Sequence, residues 1–251
     1  IGAAAEPSLI EALNSDSFRV RKSAIELLTV LESKSAVDRI AELFENDKES
    51  SVRSAAYECL KRLGKSAEAH FLRGLDAKNE DILYDLIGML LDMKSEAATD
   101  RIAAIYNRET DPTIKEAALN FLTGIGASAG KHLVLLLAGD DQSVRLRALD
   151  ALAAYRYAPA AERVAKLCAD EEDEEIREKG FVFLQSLQGE GDAERRLAGL
   201  LAHTNASVRR RAIQAFRELG GNGAVAQIAG LCHADPDAAV RDESIRYLRS
   251  A

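Results

Sequence analysis

Few side chains in this sequence are spaced for chemistry. Four histidines stand at His70, His132, His203 and His233, the last beside Cys232. Consecutive helical residues point about 100° apart, so Cys232 and His233 do not converge on one metal ion. Cys59 and Cys168 read as small core residues rather than as nucleophiles paired with a histidine. The sequence has no glycine-rich phosphate loop, no hydrolase elbow and no paired-cysteine zinc spacing. Six consecutive carboxylates, Asp170 to Glu175, read as a solvated loop running into the first turn of a helix, where negative charge is favourable. The other reading of that run is a docking point for a basic segment. The expectation is no metal, no cofactor and no catalytic residue.

What does recur is a branched aliphatic residue followed by a basic one. The anchors are Val20, Val52, Ile82, Ile114, Val144, Ile176, Val208 and Val240, in steps of 32, 30, 32, 30, 32, 32 and 32 residues. A period of this length marks stacked supersecondary units. Small residues stand four after most anchors and apolar ones five and eight after, as in Ala148, Leu149 and Leu152. Offsets 0, +4, +5 and +8 make one face of an α-helix. The small residue at +4 marks a close approach of a neighbouring helix. Three before the anchors stand Ser17, Glu49, Asn79, Asp111, Asp141, Asp173, Asn205 and Asp237. All but Glu49 are good N-caps.

A second helix precedes each of these. Ile40 and Leu43, Ile102 and Ile105, Val164 and Leu167, and Ile228 and Leu231 share one offset, 12 and 9 before the next anchor. Gly64, Gly126 and Gly220 fall at +12, where a helix end takes a left-handed residue. Each unit is therefore helix, turn, helix, short loop. The fold class is all-α: an α-solenoid of about eight helix-turn-helix repeats, without strands, over residues 1–251 as a single domain.

The run Asp141-Gln-Ser-Val144-Arg145-Leu-Arg-Ala148-Leu-Asp-Ala-Leu152 resembles the HEAT-like repeats of the bilin-lyase-type family. The likeness extends over essentially the whole chain. It implies that the basic column, Arg21, Arg53, Lys115, Arg145, Arg177, Arg209 and Arg241, pairs with acidic groups of neighbouring repeats as a ladder. Repeat 3 departs from the pattern, with Leu83 for the basic residue and Leu86 for the small one. Deoxyhypusine hydroxylase, an enzyme family of similar fold, binds iron through His-Glu pairs. Here Phe71, Leu133, Thr204 and Ala234 follow the histidines, so that activity is excluded.

Composition narrows the field. Net charge is −8, and sequence-independent nucleic-acid binding needs a basic face. No apolar run approaches the roughly 20 residues of a membrane span. Cys168 and Cys232 occupy one position of units two repeats apart, about 20 Å at layer spacings of about 10 Å, whereas a disulfide needs less than about 7 Å. Three separated thiols fit a cytoplasmic, reducing setting. Ile1-Gly2 reads as the tail of an upstream repeat, so the chain is expected to be a segment of a longer protein.

Offsets +2, +6 and +9 lie within about 60° of one another, opposite the core. The second helices of HEAT-type stacks line the concave face, so these positions look into the groove. Repeats 1 and 2 place Lys22, Glu26, Thr29, Ser54, Glu58 and Lys61 there; repeat 3 places Tyr84, Gly88 and Leu91. Leu146 and Val182 follow in repeats 5 and 6, and Arg210, Arg217, Arg246 and Arg249 in repeats 7 and 8. An apolar middle and a basic end point to a non-catalytic scaffold that binds a segment of another protein along the groove. The family resemblance alone raises a bilin-lyase-like enzyme or accessory subunit, and the repeat architecture alone a structural arm of a multidomain protein.

Overall fold

A carboxylate or amide at the N-cap begins most of the second helices. Asp111 accepts from the backbone N–H groups of Thr113 and Ile114, Asp141 from Ser143 and Val144, Asp173 from Glu175 and Ile176, Asn205 from Ser207, and Asp237 from Val240. These bonds satisfy donors that the first helical turn leaves open. Ser17 departs from the expected capping: its side chain makes no cap bond, and its N–H donates to Ser15 Oγ at 3.2 Å. Asn79 lies outside the described residues. The computed structural model describes residues 3–76, 80–189, 191–220 and 224–250.

The chain packs as two units, Ile1–Ile125 and Gly126–Ala251. Unit 1 holds α1 (Glu6–Ala12), α2 (Phe18–Val30), α3 (Val37–Asn46), α4 (Ser50–Leu63), α5 (Glu68–Gly74), α6 (Glu80–Asp92), α7 (Thr99–Arg108) and α8 (Pro112–Gly124). Unit 2 holds α9 (Gly130–Leu136), α10 (Gln142–Ala154), α11 (Ala161–Asp170), α12 (Glu174–Ser186), α13 (Gly191–Leu200), α14 (Ala206–Leu219), α15 (Val225–Ala234) and α16 (Ala238–Ser250). The described residues also include five short 3₁₀ turns and contain no strand.

Each odd-numbered helix packs on the even-numbered one that follows it. Even-numbered helices then stack in series: α2 on α4 and α6 on α8 in unit 1, α10 on α12, α14 and α16 in turn in unit 2. Within each unit this is solenoid packing, in which a repeat meets its neighbours and little else. The anchor faces form the core. Ile25, Leu28, Val52, Leu60, Ile87 and Leu90 are buried in unit 1, and Leu149, Leu152, Ile176, Phe181, Ile213 and Phe216 in unit 2. Val20 is the anchor that stands out as exposed, and Val144 is half-buried.

The +12 position is left-handed well beyond the three glycines. Gly64, Gly126 and Gly220 have positive φ, and so do Glu32, Lys94 and Arg156 at the same offset. At Glu32, Lys94 and Arg156 the reason is one bonding pattern at the helix end. Lys94 N–H donates to Leu91 O and Ser95 N–H to Leu90 O, each at 2.9 Å; Glu32 with Ser33 and Arg156 with Tyr157 repeat it. This is the Schellman arrangement, which needs a left-handed residue whatever its side chain.

The small residue at +4 faces the helix before it. A Cβ on Gly180 would lie 2.6 Å from Cys168 Sγ, twelve residues upstream. Repeat 3 reverses the sizes: Leu86 is large, and a Cβ on Gly74, again twelve residues upstream, would lie 2.7 Å from Leu86 Cδ1. Volume is thus conserved across the pair.

Two outcomes follow in urea melts. Gly74→Ala destabilises the chain by about 1–3 kcal/mol through overpacking, and adding Leu86→Ala to it costs less than the sum of the two single changes. Lys94→Gly is neutral to stabilising by up to about 1 kcal/mol, because glycine enters the left-handed region without a steric cost.

Candidate functional site

The basic column has two kinds of bond. Arg21 and Arg209 grip a carboxylate of the following repeat with both sides of the guanidinium fork. Arg21 Nε and Nη2 reach Asp47 at 2.7 and 2.8 Å, and Arg209 Nε and Nη2 reach Asp235, each at 2.7 Å. The remaining Nη1 donates to two carbonyls before the arginine's own helix, Ser15 and Asp16 in one case and His203 and Thr204 in the other. Arg145 pairs with Glu171 of the following repeat. Arg53, Arg177 and Arg241 instead donate to the main-chain carbonyls of Asp47, Glu171 and Asp235, each at 2.8 Å. Lys115 sits over the Tyr106 ring, 5.2 Å from its centroid.

The acidic partner therefore does three jobs. Asp235 holds Arg209 with its carboxylate, accepts the N–H of Asp237 at 2.9 Å, and offers its carbonyl to Arg241. Asp47 does the same for Arg21, Glu49 and Arg53, and Glu171 for Arg145, Asp173 and Arg177. The arginine bonds hold the carboxyls of Asp47 and Asp235 below the ordinary carboxylate range, against burial, which raises them. These groups serve structure. They face the loops, where open clefts of about 550 Å³ lie beside Arg21 and Asp47 and beside Arg145 and Glu171.

The feature that does resemble a site lies on the second-helix face of unit 1. Between α4 and α6, which meet less closely than α2 and α4 or α6 and α8, a cavity of about 640 Å³ opens. Tyr57 of α4, Tyr84, Gly88 and Leu91 of α6, and Ala117 of α8 give it an apolar floor; Asp85, Asp92 and Glu116 rim it. Tyr84 is 50 % exposed, an unusual state for so large a ring, while Tyr57 and Leu91 are half-buried. Burial pushes the Tyr57 hydroxyl up, with Asp85, Glu58 and Asp92 adding to the shift and Lys61 opposing it.

Gly88 is the informative residue. It lies inside α6, and a Cβ built on it would meet nothing within 4 Å. Glycine within a helix costs roughly 0.5–1 kcal/mol relative to alanine. Helix packing does not require it, and its effect is to deepen the floor between Tyr84 and Leu91.

The corresponding stripe of unit 2 is different. Leu146 is half-buried and Val182 is exposed. Arg210 and Arg249 are exposed, but Arg217 and Arg246 turn to Glu243, which is 1 % exposed. Arg217 Nη1 donates to its Oε1 at 2.6 Å, Arg246 Nη1 to Oε2 at 3.2 Å, and Gln214 Nε2 to Oε2 at 3.3 Å. The basic end expected from sequence is thus partly an internal network. Arg211 extends that network: it reaches Glu178 and Glu218 and lies over the Phe181 ring at 5.2 Å. Lys179 pairs with Asp150 at 2.6 Å.

Among the described residues no group of three or more His, Cys, Asp or Glu is placed to hold a metal ion. Cys59 and Cys168 are buried and unpaired, and burial pushes the Cys168 thiol up to about 12. No described helix is long and apolar enough to cross a membrane. Five of the six carboxylates of the acidic run have a place in the fold. Asp170 ends α11, Glu171 holds Arg145, Asp173 caps α12, and Glu174 and Glu175 stand in its first turn.

Residues 6–87 match the family of HEAT repeats. The match lies within unit 1. Among solved structures it is similar to the karyopherin Kap121p bound to the SUMO protease Ulp1p, with a TM-score of 0.53 at 15% identity over 100% of this chain and 33% of that one. Importin beta gives a TM-score of 0.51 at 12% identity over 98% of this chain and 40% of that one. The chain spans about a third of the length of Kap121p. The CpcE–CpcF phycocyanin lyase complex aligns at a TM-score of 0.34, which carries no argument about activity. No curated protein matches the sequence.

Three features escape the sequence pattern. The carboxylates at Asp47, Glu171 and Asp235 sit five before an anchor in alternate repeats, a spacing visible once the arginines are known to need partners. Glu243 looks like any surface glutamate. Tyr57 occupies a core offset, yet it lines the cavity because α6 does not close over it.

Acid sensitivity tests the arginine clamps. Asp47 and Asp235 titrate below their unfolded values, so their contribution is fully present above about pH 4 and is lost as pH falls through the lower folded values. Asp235→Asn should cost on the order of 3 kcal/mol at neutral pH by leaving Arg209 buried without its counterion. It should also flatten the fall of stability below about pH 4 in urea melts. In a second test, Gly88→Ala should raise stability by about 0.5–1 kcal/mol in thermal or urea melts.

Proposed function

We propose that this chain is a non-catalytic binding scaffold whose second-helix face in unit 1 docks a segment of another protein. The observation that carries the reading is the open floor at Gly88, a helix-interior glycine with empty space above it, between an exposed Tyr84 and a half-buried Leu91. Exposed aromatics beside a concave apolar floor are what a partner buries, and central anchors of this kind dominate binding energy. Kap121p, of similar fold, is bound to Ulp1p in one structure and to Ste12p in another, which supports a segment-binding role for this architecture. Leu146 and Val182 in unit 2, with Arg210 and Arg249, form a secondary surface in this reading; Arg217 and Arg246 contribute less, being held by Glu243.

The reading takes residues 1–251 as one repeat domain, because the anchor period runs without a break from Ile114 to Val144. It places the protein in a reducing, cytoplasmic setting on the strength of three unpaired thiols. It assigns no cofactor, and with a net charge of −8 it assigns no nucleic acid as partner.

The test is a pull-down from the natural source with the parent chain and with a Tyr84→Ala/Leu91→Ala double variant. A partner held by the parent should bind the double variant with a loss of about 2 kcal/mol or more, with the helical signal unchanged. Capture of identical protein sets by both baits would remove the unit 1 face as the docking surface.

A further inference from the structure

The last two second helices of unit 2 are rich in arginine. Together α14 and α16 carry seven arginines, no lysine and three carboxylates, in a chain whose net charge is −8. Three of the seven are taken up by the fold. Arg209 holds Asp235, Arg241 donates to the carbonyls of Asp235 and Pro236, and Arg211 bridges Glu178 and Glu218. The other four, Arg210, Arg217, Arg246 and Arg249, stand at the offsets +2, +6 and +9 that share one helix face. Arg217 and Arg246 divide one carboxylate between them, the buried Glu243, and keep 35% and 64% of their side chains exposed. Arg210 and Arg249 are exposed and pair with no carboxylate among the described residues. Asp242 is the second carboxylate of this face, exposed and likewise unpaired.

Four guanidiniums therefore share a face with two carboxylates, and one of those two is enclosed. Glu243 accepts from Arg217 at 2.6 Å, and from Arg246 and Gln214 at 3.2 and 3.3 Å. It fixes both arginines on the face while its single charge offsets only one of them. A side chain already held in place gives up less freedom when a partner binds. A basic segment laid here would meet its own charge, and an apolar one would strip water from Arg210 and Arg249 without replacing it. A carboxylate replaces that water with opposite charge, and the planar fork of arginine can donate two parallel bonds to it. Arg210 and Arg249 are seven helical positions apart, about 10 Å, on helices about 10 Å from each other. The span, roughly 15 Å, is that of about five residues of extended chain. Val182, 44% exposed on α12, which packs on α14, adds an apolar contact to the same face. We infer that this face takes an acidic protein segment, its carboxylates meeting Arg210 and Arg249 with Arg246 beside them, and an apolar side chain resting on Val182. A nucleic acid fits less well, because the surplus here is two charges and the chain as a whole repels a polyanion. The inference goes beyond the unit 1 groove, with which this face shares no residue, and stands or falls apart from it.

The experiment is a selection of random dodecapeptides on the purified chain, followed by titration of the selected peptides against three variants. The first is Arg210→Gln/Arg249→Gln. The second is Arg19→Gln/Lys34→Gln, which removes the same charge from exposed positions of unit 1. The third is Tyr84→Ala in the unit 1 groove. Circular dichroism and urea melts establish that each variant is folded. The expected result is enrichment of peptides with aspartate or glutamate beside one apolar residue. Those peptides should weaken by roughly tenfold or more against Arg210→Gln/Arg249→Gln, with a flatter salt dependence, and bind the other two variants as they bind the parent. The inference is overturned if no acidic peptide is selected, or if the acidic ones bind Arg210→Gln/Arg249→Gln as tightly as the parent. Equal weakening by Arg19→Gln/Lys34→Gln also overturns it, since that is the mark of net charge alone. So does a dodecathymidine oligonucleotide that binds the parent more tightly than the peptides and displaces them, which would make the face a polyanion site. Selected peptides that are not acidic and are lost on Tyr84→Ala would support the unit 1 groove and overturn this site.

Discussion

The clamp between a guanidinium and the loop before the next helix is the interaction on which the rest of the structure depends. Helix ends leave carbonyls and N–H groups without partners, and stacked repeats bury many such ends. Asp235 answers this at one stroke: its carboxylate holds Arg209 and the N–H of Asp237, and its carbonyl receives Arg241. With side-chain exposures of 8% for Arg209 and 2% for Asp235, the pair is supported by further bonds, from Arg209 Nη1 to the carbonyls of His203 and Thr204 and from the Asp237 N–H to Asp235 Oδ1. Once the loop is set, the direction of the next second helix is set, and with it the face that helix presents.

That face is then free to vary. In unit 2 it knits itself together through Glu178 and Glu243, whose partners Arg211 and Arg217 lie on the neighbouring α14, and through Glu218, which pairs with Arg211 of its own helix. In unit 1 the equivalent helices leave an apolar floor with carboxylates along its edge. The same scaffold geometry therefore supports a surface tied by ion pairs in one place and an open apolar floor in another. The difference lies in a handful of residues on that face.

The sequence makes the repeats plain because core packing obliges every unit to reuse the same offsets. Caps at Asp111, Asp141 and Asp173 and the arginine column are legible for the same reason: each answers a backbone need that recurs. Tyr84, Gly88 and Leu91 could be named as one stripe by helical geometry alone. What could not be read is how two helices diverge. Tyr57 counts as core by offset and lines a cavity in space. Glu243 counts as surface by type and is buried. The left-handed turn at Glu32, Lys94 and Arg156 was hidden because the bonding pattern, and not the residue type, imposes it.

The clamps also bear on how such a chain reaches its fold. The Arg21–Asp47 and Arg209–Asp235 bonds close loops of 26 residues, and the Arg211–Glu178 bond spans 33. Every tie of this kind is local along the chain, so contact order is low and little loop entropy is surrendered before a contact forms. Nucleation needs no particular end of the molecule: any two adjacent repeats joined by a clamp make a seed on which the next pair can condense.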